Sequence, residues 1–500
     1  MDVSSTMDIA PAIHDTLRRV QAFARARQVP CYLVGGLLRD QLLGRSPTYL
    51  NVDLAVPRGA VAMSRALAEW MGGAFVPLDE TVGSARVVVK IEGARLELDL
   101  SEFRGATLEE DLRRRDFTIN ALAIGLDAWL EDPDRPGDLI DPLRGRQALE
   151  RRQLIACGPE AFHDDPVRIL RAFRFAAQLD FAVDPAAHPL MRRAVQALAG
   201  VSGERIRDEL LAIFETHRAA AAVRSLDELG VLDVLLPELS PGRGMAQGDF
   251  HHLDVLAHQL EAVAQLDRLL VDFAELSQDL REPLLAYCAQ ELVERRSRRS
   301  LLKLAGLLHD VGKPAHRQVH ADGEIWFLGH EHGGAELAKG IVERLRLSNR
   351  EGEMVCQLVR HHLRPGFLSR EPQVTRRAIY RFFKELGDHG PACLVVWWAD
   401  RMATRGPKSR LDQLDQQRRR LEELLSAYFF QAEEVVKPRR LIDGHRIMET
   451  FGLTPGPRIG TLLEAVEEAQ AEGRVRSSEE ALALVQALLQ QAAEKHRGDT

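Results

Sequence analysis

The stretch Asp111-Leu-Arg-Arg-Arg-Asp-Phe-Thr-Ile-Asn-Ala-Leu-Ala123 places three consecutive arginines before an aspartate, an asparagine and an apolar run. Contacts with phosphate need locally concentrated positive charge, and this stretch supplies it although the whole chain has a net charge of −8. A solvated helix face is the alternative explanation for the arginines taken alone. The rest of the sequence has to decide between the two.

Short β-like runs alternate with helical runs around this stretch, which is typical of an α/β arrangement. After about residue 145 the strand signals nearly vanish, and long amphipathic helical patterns follow. Several domains are expected, since 500 residues exceed what one core usually organises. Prolines and glycines indicate one boundary near residue 240, and Gly406-Pro407 with the polar run to Arg420 indicates a second at 405–440. The predicted strands are residues 32–34, 52–56, 86–91, 96–100 and 119–124.

Two of these strands carry polar residues on one face. Alternate residues of a strand share a face, so Asn51 and Asp53 point away from the core while their apolar neighbours point into it. Glu97 and Asp99 repeat this pattern. Polar groups that converge from neighbouring strands suit a two-metal site for phosphoryl displacement. Plain alternation on a half-exposed sheet is the simpler explanation for either strand alone.

A glycine pair, Gly35-Gly36, follows the first predicted strand and precedes a helical stretch at residues 37–43. Glycines at this position let backbone amides approach a phosphate, and the helix N-terminus adds a positive field. An ordinary turn is the alternative.

The stretch 111–123 closely resembles the signature of class II tRNA nucleotidyltransferases and bacterial poly(A) polymerases. Three further blocks occur in that family's order. The resemblance implies an α+β head of the polymerase-β nucleotidyltransferase type, followed by a mainly α-helical neck. It also implies an enzyme that adds CMP or AMP, from CTP or ATP, to a tRNA 3′ end without a nucleic-acid template. The blocks are Val34-Gly-Gly-Leu-Leu-Arg-Asp40, Leu139-Ile-Asp-Pro142 and Phe162-His-Asp-Asp-Pro-Val-Arg-Ile-Leu-Arg171.

By position, the resemblance assigns catalytic and Mg²⁺-binding roles to Asn51, Asp53 and Asp99. Further positions fall on segments that hold the incoming nucleotide. These nucleotide-binding residues are Gly35, Gly36, Arg39, Arg115, Asp116, Asn120, Asp164, Asp165, Arg168, Arg171 and Arg174.

Three of them, Asp164, Asp165 and Arg168, fall on the segment that contacts the edge of the base. An acceptor and a fork-shaped donor can present a Watson–Crick-like pattern, which makes this role physically sensible. Asp165, followed by Pro166, is also a good helix N-cap. A capped helix would be a rigid mount for Arg168, so both roles are compatible.

Asn51 departs from the family, which has an aspartate there. A neutral amide offers one oxygen but no charge, so the affinity for Mg²⁺ should fall. Glu97 and Asp99 are the candidates that compensate.

The connection from Arg104 to Asp111 also departs from the family. Only six residues lie between them, where CCA-adding members carry a longer flexible loop. That loop helps the family's site to switch from CTP to ATP, and shortened forms resemble CC-adding enzymes. We therefore predict the addition of cytidines only.

A second resemblance begins with His309-Asp310. This pair follows an apolar helical run and precedes a Gly-Lys turn. This pattern resembles HD-domain phosphohydrolases, including those fused to tRNA nucleotidyltransferases. Imidazoles and carboxylates suit a divalent metal such as Mn²⁺, Ni²⁺ or Mg²⁺, and such a metal can activate water against a phosphate ester. Lys313 is placed to neutralise the phosphate. By position the ligands are His258, His309, Asp310 and Asp400, with His330 and either His361 or His362 added if the site is binuclear.

The C-terminal segments 441–448 and 454–460 resemble the family's RNA-contacting tail, although a plain helix–turn–helix connection explains them equally well. We therefore predict a head at 1–145, a neck for base recognition and RNA binding at 146–240, an HD domain at 245–405 and an RNA-contacting helical tail at 430–490.

Five scattered cysteines without a CxxC pair indicate reduced thiols of a cytoplasmic protein. No apolar run is long enough to span a bilayer, so we expect no membrane partner. The expected partners are the tRNA 3′ end with CTP or ATP, and the oligomeric state is not predictable.

Two alternative functions remain open. One is an HD phosphohydrolase with a degenerate, RNA-holding head, which is suggested by Asn51 at the position of a metal-binding aspartate. The other is a poly(A) polymerase.

Overall fold

A computed structural model describes residues 9–45, 51–79, 82–91, 94–132, 138–371, 373–409 and 411–498. The chain divides into two units, Met1–Val201 and Ser202–Thr500, which are treated in turn. No helix in these described ranges is long and apolar enough to cross a membrane. All five cysteines are free thiols.

The first unit is built on a six-stranded sheet with the strand order β3-β4-β5-β2-β1-β6. Strands β2 and β5 pair in parallel, and the other neighbours pair antiparallel. Their apolar residues alternate into the core: Val52 and Leu54 are fully buried, as are Leu96 and Leu98. The strands are β1 Tyr32–Val34, β2 Asn51–Val56, β3 Ala74–Asp79, β4 Ser84–Ile91, β5 Ala94–Glu102 and β6 Ala123–Gly125.

Helices surround this sheet and continue beyond it. Helix α8 is strongly amphipathic and buries Ile169, Leu170 and Phe173, at the spacing of one helix face. The first unit contains α1 Ile9–Ala26, α2 Gly36–Leu42, α3 Ala60–Met71, α4 Leu108–Arg113, α5 Leu126–Glu131, α6 Gly145–Glu150, α7 Ala161–Asp164, α8 Arg168–Leu179 and α9 Ala187–Ala194, with the short pair β7 Gln153–Leu154 and β8 Ala182–Val183.

The second unit is almost entirely helical. Its helices are α10 Gly203–Phe214, α11 Ala219–Glu228, α12 Val231–Leu235, α13 Val255–Asp272, α14 Gln278–Ala289, α15 Arg298–Leu308, α16 His330–Arg344, α17 Asn349–His361, α18 Arg364–Arg370, α19 Arg376–Leu386, α20 Gly390–Ala403, α21 Leu414–Phe430, α22 Gly444–Phe451, α23 Pro457–Ala471 and α24 Ser478–Gly498. Two short hairpins accompany them, β9 Glu291–Val293 with β10 Arg296–Ser297, and β11 Gln318–Val319 with β12 Ile325–Trp326.

Helix α15 is the centre of the second unit, because it packs against α10, α13, α17 and α20 and its residues from Ser300 onward are all buried. A helix that is buried all round must be apolar or internally paired. Its one buried lysine, Lys303, accordingly lies 2.7 Å from Asp267 (Nζ to Oδ1). This helix ends at the predicted His309-Asp310 pair.

The α+β head followed by mainly helical structure is confirmed, and three local predictions are corrected. Residues 118–120 form a 3₁₀ turn, so the last head strand is shorter than the predicted 119–124. Strand β3 was not predicted, because it contains Pro77 and is mostly solvent-exposed. The predicted boundary at 405–440 contains α21, which packs on α14, α18 and α20. The predicted core residue Leu50 lies outside the described residues.

Candidate functional sites

The first candidate site forms where β1 ends beside β2. Val34 pairs with Asp53 across the two strands, so the Gly35-Gly36 turn lies directly over the Asp53 carboxylate. The Gly36 backbone amide hydrogen-bonds to Asp53. Gly35 has a φ of 77°, and a Cβ there would lie 2.9 Å from Asp53 Oδ2. Glycine is therefore required at this close approach.

The three predicted metal ligands of the head are adjacent. Parallel pairing of β2 and β5 sets Asp53 opposite Asp99. Asn51 Nδ2 donates to Asp99 Oδ2 at 3.2 Å, and Asn51 Oδ1 is buried without a hydrogen-bond partner. Burial and the Asp99 charge raise the pKa of Asp53, against the lowering effect of Arg115. Crowded carboxylates beside an unsatisfied amide oxygen fit a hard divalent cation.

Arg86 on β4 was not predicted and forms part of this cluster. It binds Asp99 with two parallel hydrogen bonds, Nε to Oδ1 at 2.7 Å and Nη2 to Oδ2 at 2.8 Å. Its Nη1 lies 2.7 Å from Glu97 Oε2. The hydrogen bonds to Asp99 raise the pKa of Arg86, so this guanidinium is a permanent charge.

A chain of charged hydrogen bonds connects α2, the 3₁₀ turn and α8. Arg39 donates to Asp40 and, at 2.9 Å, to Asn120 Oδ1. Asn120 donates to Asp116 at 3.2 Å, and Arg171 donates to the other oxygen of Asp116 at 3.1 Å. Burial of Asp116 opposes its charge, but Arg171 and the neighbouring donors outweigh it and lower the pKa. The predicted nucleotide-binding residues Arg39, Asp116, Asn120 and Arg171 are thus brought together.

The remaining predicted arginines differ in their surroundings. Arg115 pairs with Asp111 at 3.1 Å (Nη2 to Oδ2), and its charge acts on Asp53. Arg174 lies over the ring of Phe175.

Arg168 is buried, and its guanidinium donates to the backbone carbonyls of Arg114, Arg115 and Ala161. Arg168, which was predicted to contact the base, is therefore directed towards the backbone before Asp116 and stabilises the turn there. Asp164 is exposed, and Asp165 is partly buried.

The prediction that Asp165 is the N-cap of α8 is wrong. The N-cap is Val167, with no side-chain cap, and Asp165 terminates α7.

The short connection between β5 and α4 is tied to the helix that follows it. The Arg104 amide donates to Asp111 Oδ1 at 3.1 Å, and the Ala106 amide donates to Glu110 Oε2 at 2.7 Å. Thr107 caps the helix by accepting the Glu110 amide. This connection is thereby held by its own side chains.

Replacement of Gly35 by alanine is expected to lower kcat for nucleotide addition about tenfold, because displacing a catalytic group by a fraction of an ångström is costly. The added Cβ would push on Asp53. Steady-state kinetics measure the effect. Gly44→Ala is the matched control, since Gly44 also has a positive φ of 63° but has open space around it. Equal losses in both variants would attribute the effect to backbone strain and contradict the contact with Asp53.

The second candidate site lies at the end of α15. Gly312 permits this arrangement, because a Cβ there would lie 2.1 Å from the backbone oxygen of His330, which begins α16. Six side chains from five helices or their ends meet here. Their ligand atoms form two groups, His258 with His309 and Asp400, and Asp310 with His330 and His362.

Asp310 connects the two groups. Its Oδ2 lies 3.1 Å from His309 Nε2, and its Oδ1 lies 3.2 Å from His330 Nε2 and 3.6 Å from His362 Nε2. His258 Nε2 lies 2.9 Å from Asp400 Oδ1. This arrangement fits two divalent cations bridged by one carboxylate.

Backbone carbonyls orient three of the imidazoles. His309, His330 and His362 each direct Nδ1 at a carbonyl oxygen, at 2.8, 2.7 and 2.7 Å. A carbonyl only accepts, so Nδ1 carries a hydrogen and Nε2 faces the centre of the site. Burial opposes a charge on His309, but Asp310 and Asp400 outweigh it and raise its pKa to about 10. The His309 imidazole would therefore release a proton when it binds a metal cation.

Of the two predicted alternatives, His362 belongs to the cluster and His361 lies instead 3.7 Å from Glu385. Lys313, predicted to face a phosphate, pairs with Asp310 at 2.6 Å and with Gln247 Oε1 at 2.7 Å. Gln247 was not predicted, because a glutamine in a loop carries no sequence signal of this contact.

In the C-terminal segment, Asp443 caps α22, and Gly456 precedes Pro457 at the first position of α23. Arg458 follows on an exposed turn of this helix. The helices form a core of their own around Ile447, Leu462 and Val466.

Three parts of the chain match models of known protein families. Residues 31–155 match the model of the poly(A) polymerase head domain, residues 180–242 match that of the probable RNA and SrmB-binding site of polymerase A, and residues 270–401 match the HD domain model.

Among curated proteins, the chain is 38% identical to the A-adding tRNA nucleotidyltransferase of Deinococcus radiodurans, covering 91% of this chain and 94% of that protein. It is 35% identical to the CC-adding tRNA nucleotidyltransferase of Thermus thermophilus, covering 90% and 92%. Among solved structures, the Thermotoga maritima CCA-adding enzyme complexed with tRNA matches with a TM-score of 0.60 at 23% identity, covering 96% of each chain. A complex of a CCA-adding enzyme with CTP matches with a TM-score of 0.61 at 23% identity, covering 96% of each chain.

Proposed function

This chain belongs to the tRNA nucleotidyltransferase family, as its motifs predict, and from that premise we propose that it adds CMP, taken from CTP, to the 3′ end of tRNA without a nucleic-acid template. The observation that carries the proposal is the meeting of Asp53, Asp99 and the Gly35-Gly36 turn beside positively charged Arg115 and Arg171. The reaction joins the RNA 3′-oxygen to the α-phosphorus of CTP and releases pyrophosphate.

Different groups around the site have different roles in this reaction. The backbone amides that follow Gly36 at the start of α2 are suited to receive phosphate oxygens, while the Gly36 amide holds Asp53. Arg115 and Arg171 balance the negative charge of the triphosphate as the bond to pyrophosphate breaks. Asp116 fixes Arg171, and Asn120 fixes Asp116, so this positive group is oriented before the nucleotide arrives. Asp164, Asp165 and Arg168 are proposed to contact the base, which requires Arg168 to exchange its backbone partners.

Mg²⁺ fits the head through Asp53, Asp99 and the free oxygen of Asn51, and when bound it supplies charge stabilisation to the attacking and leaving oxygens. The neutral Asn51 amide adds a ligand atom without adding another charge to a site that already holds several carboxylates.

We propose specificity for cytidine because the β5–α4 connection is short and tied. A single fixed arrangement of donors and acceptors presents one pattern to the base, whereas a switch to ATP requires movement. Relatives named as A-adding and as CC-adding both match this chain, so family membership alone does not select the nucleotide.

The expected result with tRNA lacking CCA is the addition of two cytidines, with AMP addition to tRNA ending in CC slower by roughly a hundred-fold or more. Labelled CTP and ATP, supplied separately and together, measure both rates on gels at nucleotide resolution. tRNA already ending in CCA is the control and should accept nothing. Efficient addition of the terminal AMP would overturn this specificity.

For the second unit we propose a binuclear phosphohydrolase. Two groups of histidine and aspartate ligands lie side by side, and Asp310 of the second group also lies 3.1 Å from His309 of the first, which supports a pair of divalent ions such as Mn²⁺, Ni²⁺ or Mg²⁺. Bound ions would supply an activated water for attack on a phosphate ester. Lys313, held by Gln247, is available to balance the charge of the phosphate.

The alternative in which the head is degenerate is tested with Asn51→Asp beside the wild type. Truncated tRNA, labelled CTP or ATP and Mg²⁺ are the only other components. An inert wild type with an active variant would favour an RNA-holding head. Repeated addition of AMP to unrelated RNA ends would favour poly(A) polymerase.

The four sequence segments receive roles on the same premise. We assign nucleotide transfer to residues 1–145, base and RNA contacts to 146–240, phosphate-ester hydrolysis to 245–405 and contact with the tRNA body to 430–490. The match of residues 180–242 to an RNA-binding model supports the second of these roles. We propose that this work takes place in the cytoplasm, where tRNA and CTP would be available.

A further inference from the structure

Arg86 contacts two of the three carboxylates that form the cluster of the head. The cluster consists of Asp53, Glu97 and Asp99, joined by the amide of Asn51. Arg86 contacts both Glu97 and Asp99, and its side chain is only 23% exposed. A charge this far from solvent is weakly screened, so its effect on the neighbouring groups is large.

Arg86 also fixes the plane of the Asp99 carboxylate. Each Asp99 oxygen accepts one hydrogen bond from the Arg86 fork, and Oδ2 accepts a further one from Asn51. A carboxylate has about four acceptor positions, so lone pairs remain on Asp99 for another partner. A bidentate guanidinium defines orientation as well as charge, which a lysine does not.

Asn51 is matched to this arrangement. Its amide is a donor to Asp99, and an aspartate at the same position would bring a second negative charge to within about 3 Å of Asp99 Oδ2. The asparagine therefore avoids a fourth negative charge in a cluster that already holds three carboxylates.

We propose that Arg86 is a positioning residue of the nucleotidyltransferase site, which orients Asp99 and sets the local charge that metal and nucleotide encounter. This inference rests on the proposed function of the head. It explains how an asparagine can stand where the family has an aspartate without loss of the site.

Arg95 provides a matched control. It lies 3.0 Å from Glu97 (Nη2 to Oε1), and its side chain is 49% exposed, about twice as much as that of Arg86. Arg86→Gln and Arg95→Gln thus each remove one guanidinium from the cluster, and only the first removes the support of Asp99. Arg86→Lys keeps the positive charge but removes the planar guanidinium that makes two parallel hydrogen bonds to Asp99.

The experiment measures CMP addition by the full chain, together with Mn²⁺ binding followed by electron paramagnetic resonance. Mn²⁺ at the second unit is common to all variants, so differences from wild type report on the head. We expect Arg86→Gln to lower kcat roughly 10- to 100-fold with little change in the KM for CTP. Mn²⁺ should bind several-fold more tightly, because a nearby positive charge is gone. Arg86→Lys should retain wild-type Mn²⁺ affinity with an intermediate kcat. Arg95→Gln should change both quantities much less than Arg86→Gln does, because the Arg95 guanidinium is half exposed and more strongly screened.

A purely structural role for Arg86 would weaken Mn²⁺ binding and kcat together, and that result would overturn the inference. Equal effects of Arg86→Gln and Arg95→Gln, or a kcat of Arg86→Gln equal to that of wild type, would overturn it as well. If the wild type adds no nucleotide, the proposed function fails, and the Mn²⁺ measurements still decide whether Arg86 sets the charge of the site.

Discussion

Asp53→Ala is expected to lower the rate of CMP addition by roughly a thousand-fold or more, because the loss of a central carboxylate removes several kcal/mol of transition-state stabilisation. Asp53 is the residue on which the Gly35-Gly36 turn, Asp99 and the charges of Arg115 and Arg171 all act. Asp99 is a poor replacement, since Arg86 and Asn51 already engage it. Single-turnover kinetics with saturating CTP isolate the chemical step.

The same variant is expected to hydrolyse phosphate esters at the wild-type rate, because Asp53 belongs to the first unit and the histidine cluster to the second. Asp127→Ala is a suitable control in the same unit, as Asp127 pairs with Arg25 on the surface. Retention of more than a tenth of wild-type CMP addition by Asp53→Ala would remove Asp53 from the centre of the reaction.

Asp310→Ala is expected to abolish hydrolysis of bis(p-nitrophenyl) phosphate, again by roughly a thousand-fold or more, since both ligand groups lose the carboxylate that joins them. The variant should also lose bound metal, measured by plasma emission spectroscopy of the purified protein. CMP addition should remain, which would establish two independent centres.

Asp310 is buried among His309, Lys313 and other cations, so its removal leaves positive charge unpaired and can unfold the second unit. Asp310→Asn preserves the shape and separates loss of folding from loss of chemistry. Asp279→Ala, at an exposed position in α14, is the surface control. Full metal content with unchanged hydrolysis in Asp310→Asn would refute the binuclear proposal.

Sequence motifs predicted the residues whose roles depend on local order. Alternation along a strand was enough to direct Asn51 and Asp53 away from the core, which follows from the geometry of a single element. The metal centre was predicted from the resemblance of the His309-Asp310 motif to HD domains, and that motif is also local. They were therefore accessible without knowledge of the fold.

The residues that sequence reasoning missed depend on distant pairing. Arg86 meets Asp99 only because β4 and β5 pair in one particular register, and one residue of slip would turn it to the other face. The orientation of Arg168 towards backbone carbonyls is likewise invisible in its motif. The choice between His361 and His362 depends on where α17 ends, because a shift of one residue along a helix changes the direction of the side chain by about 100°.

The backbone anchoring of His309, His330 and His362 has a consequence for how the second unit acquires its ions. Free imidazoles would have to give up rotational freedom when they capture a metal, and that entropic loss would weaken binding. Here the carbonyls have already restricted the rings, so less rotational freedom is lost when an ion binds. We therefore expect the folded protein to take up and release metal reversibly, in exchange for protons.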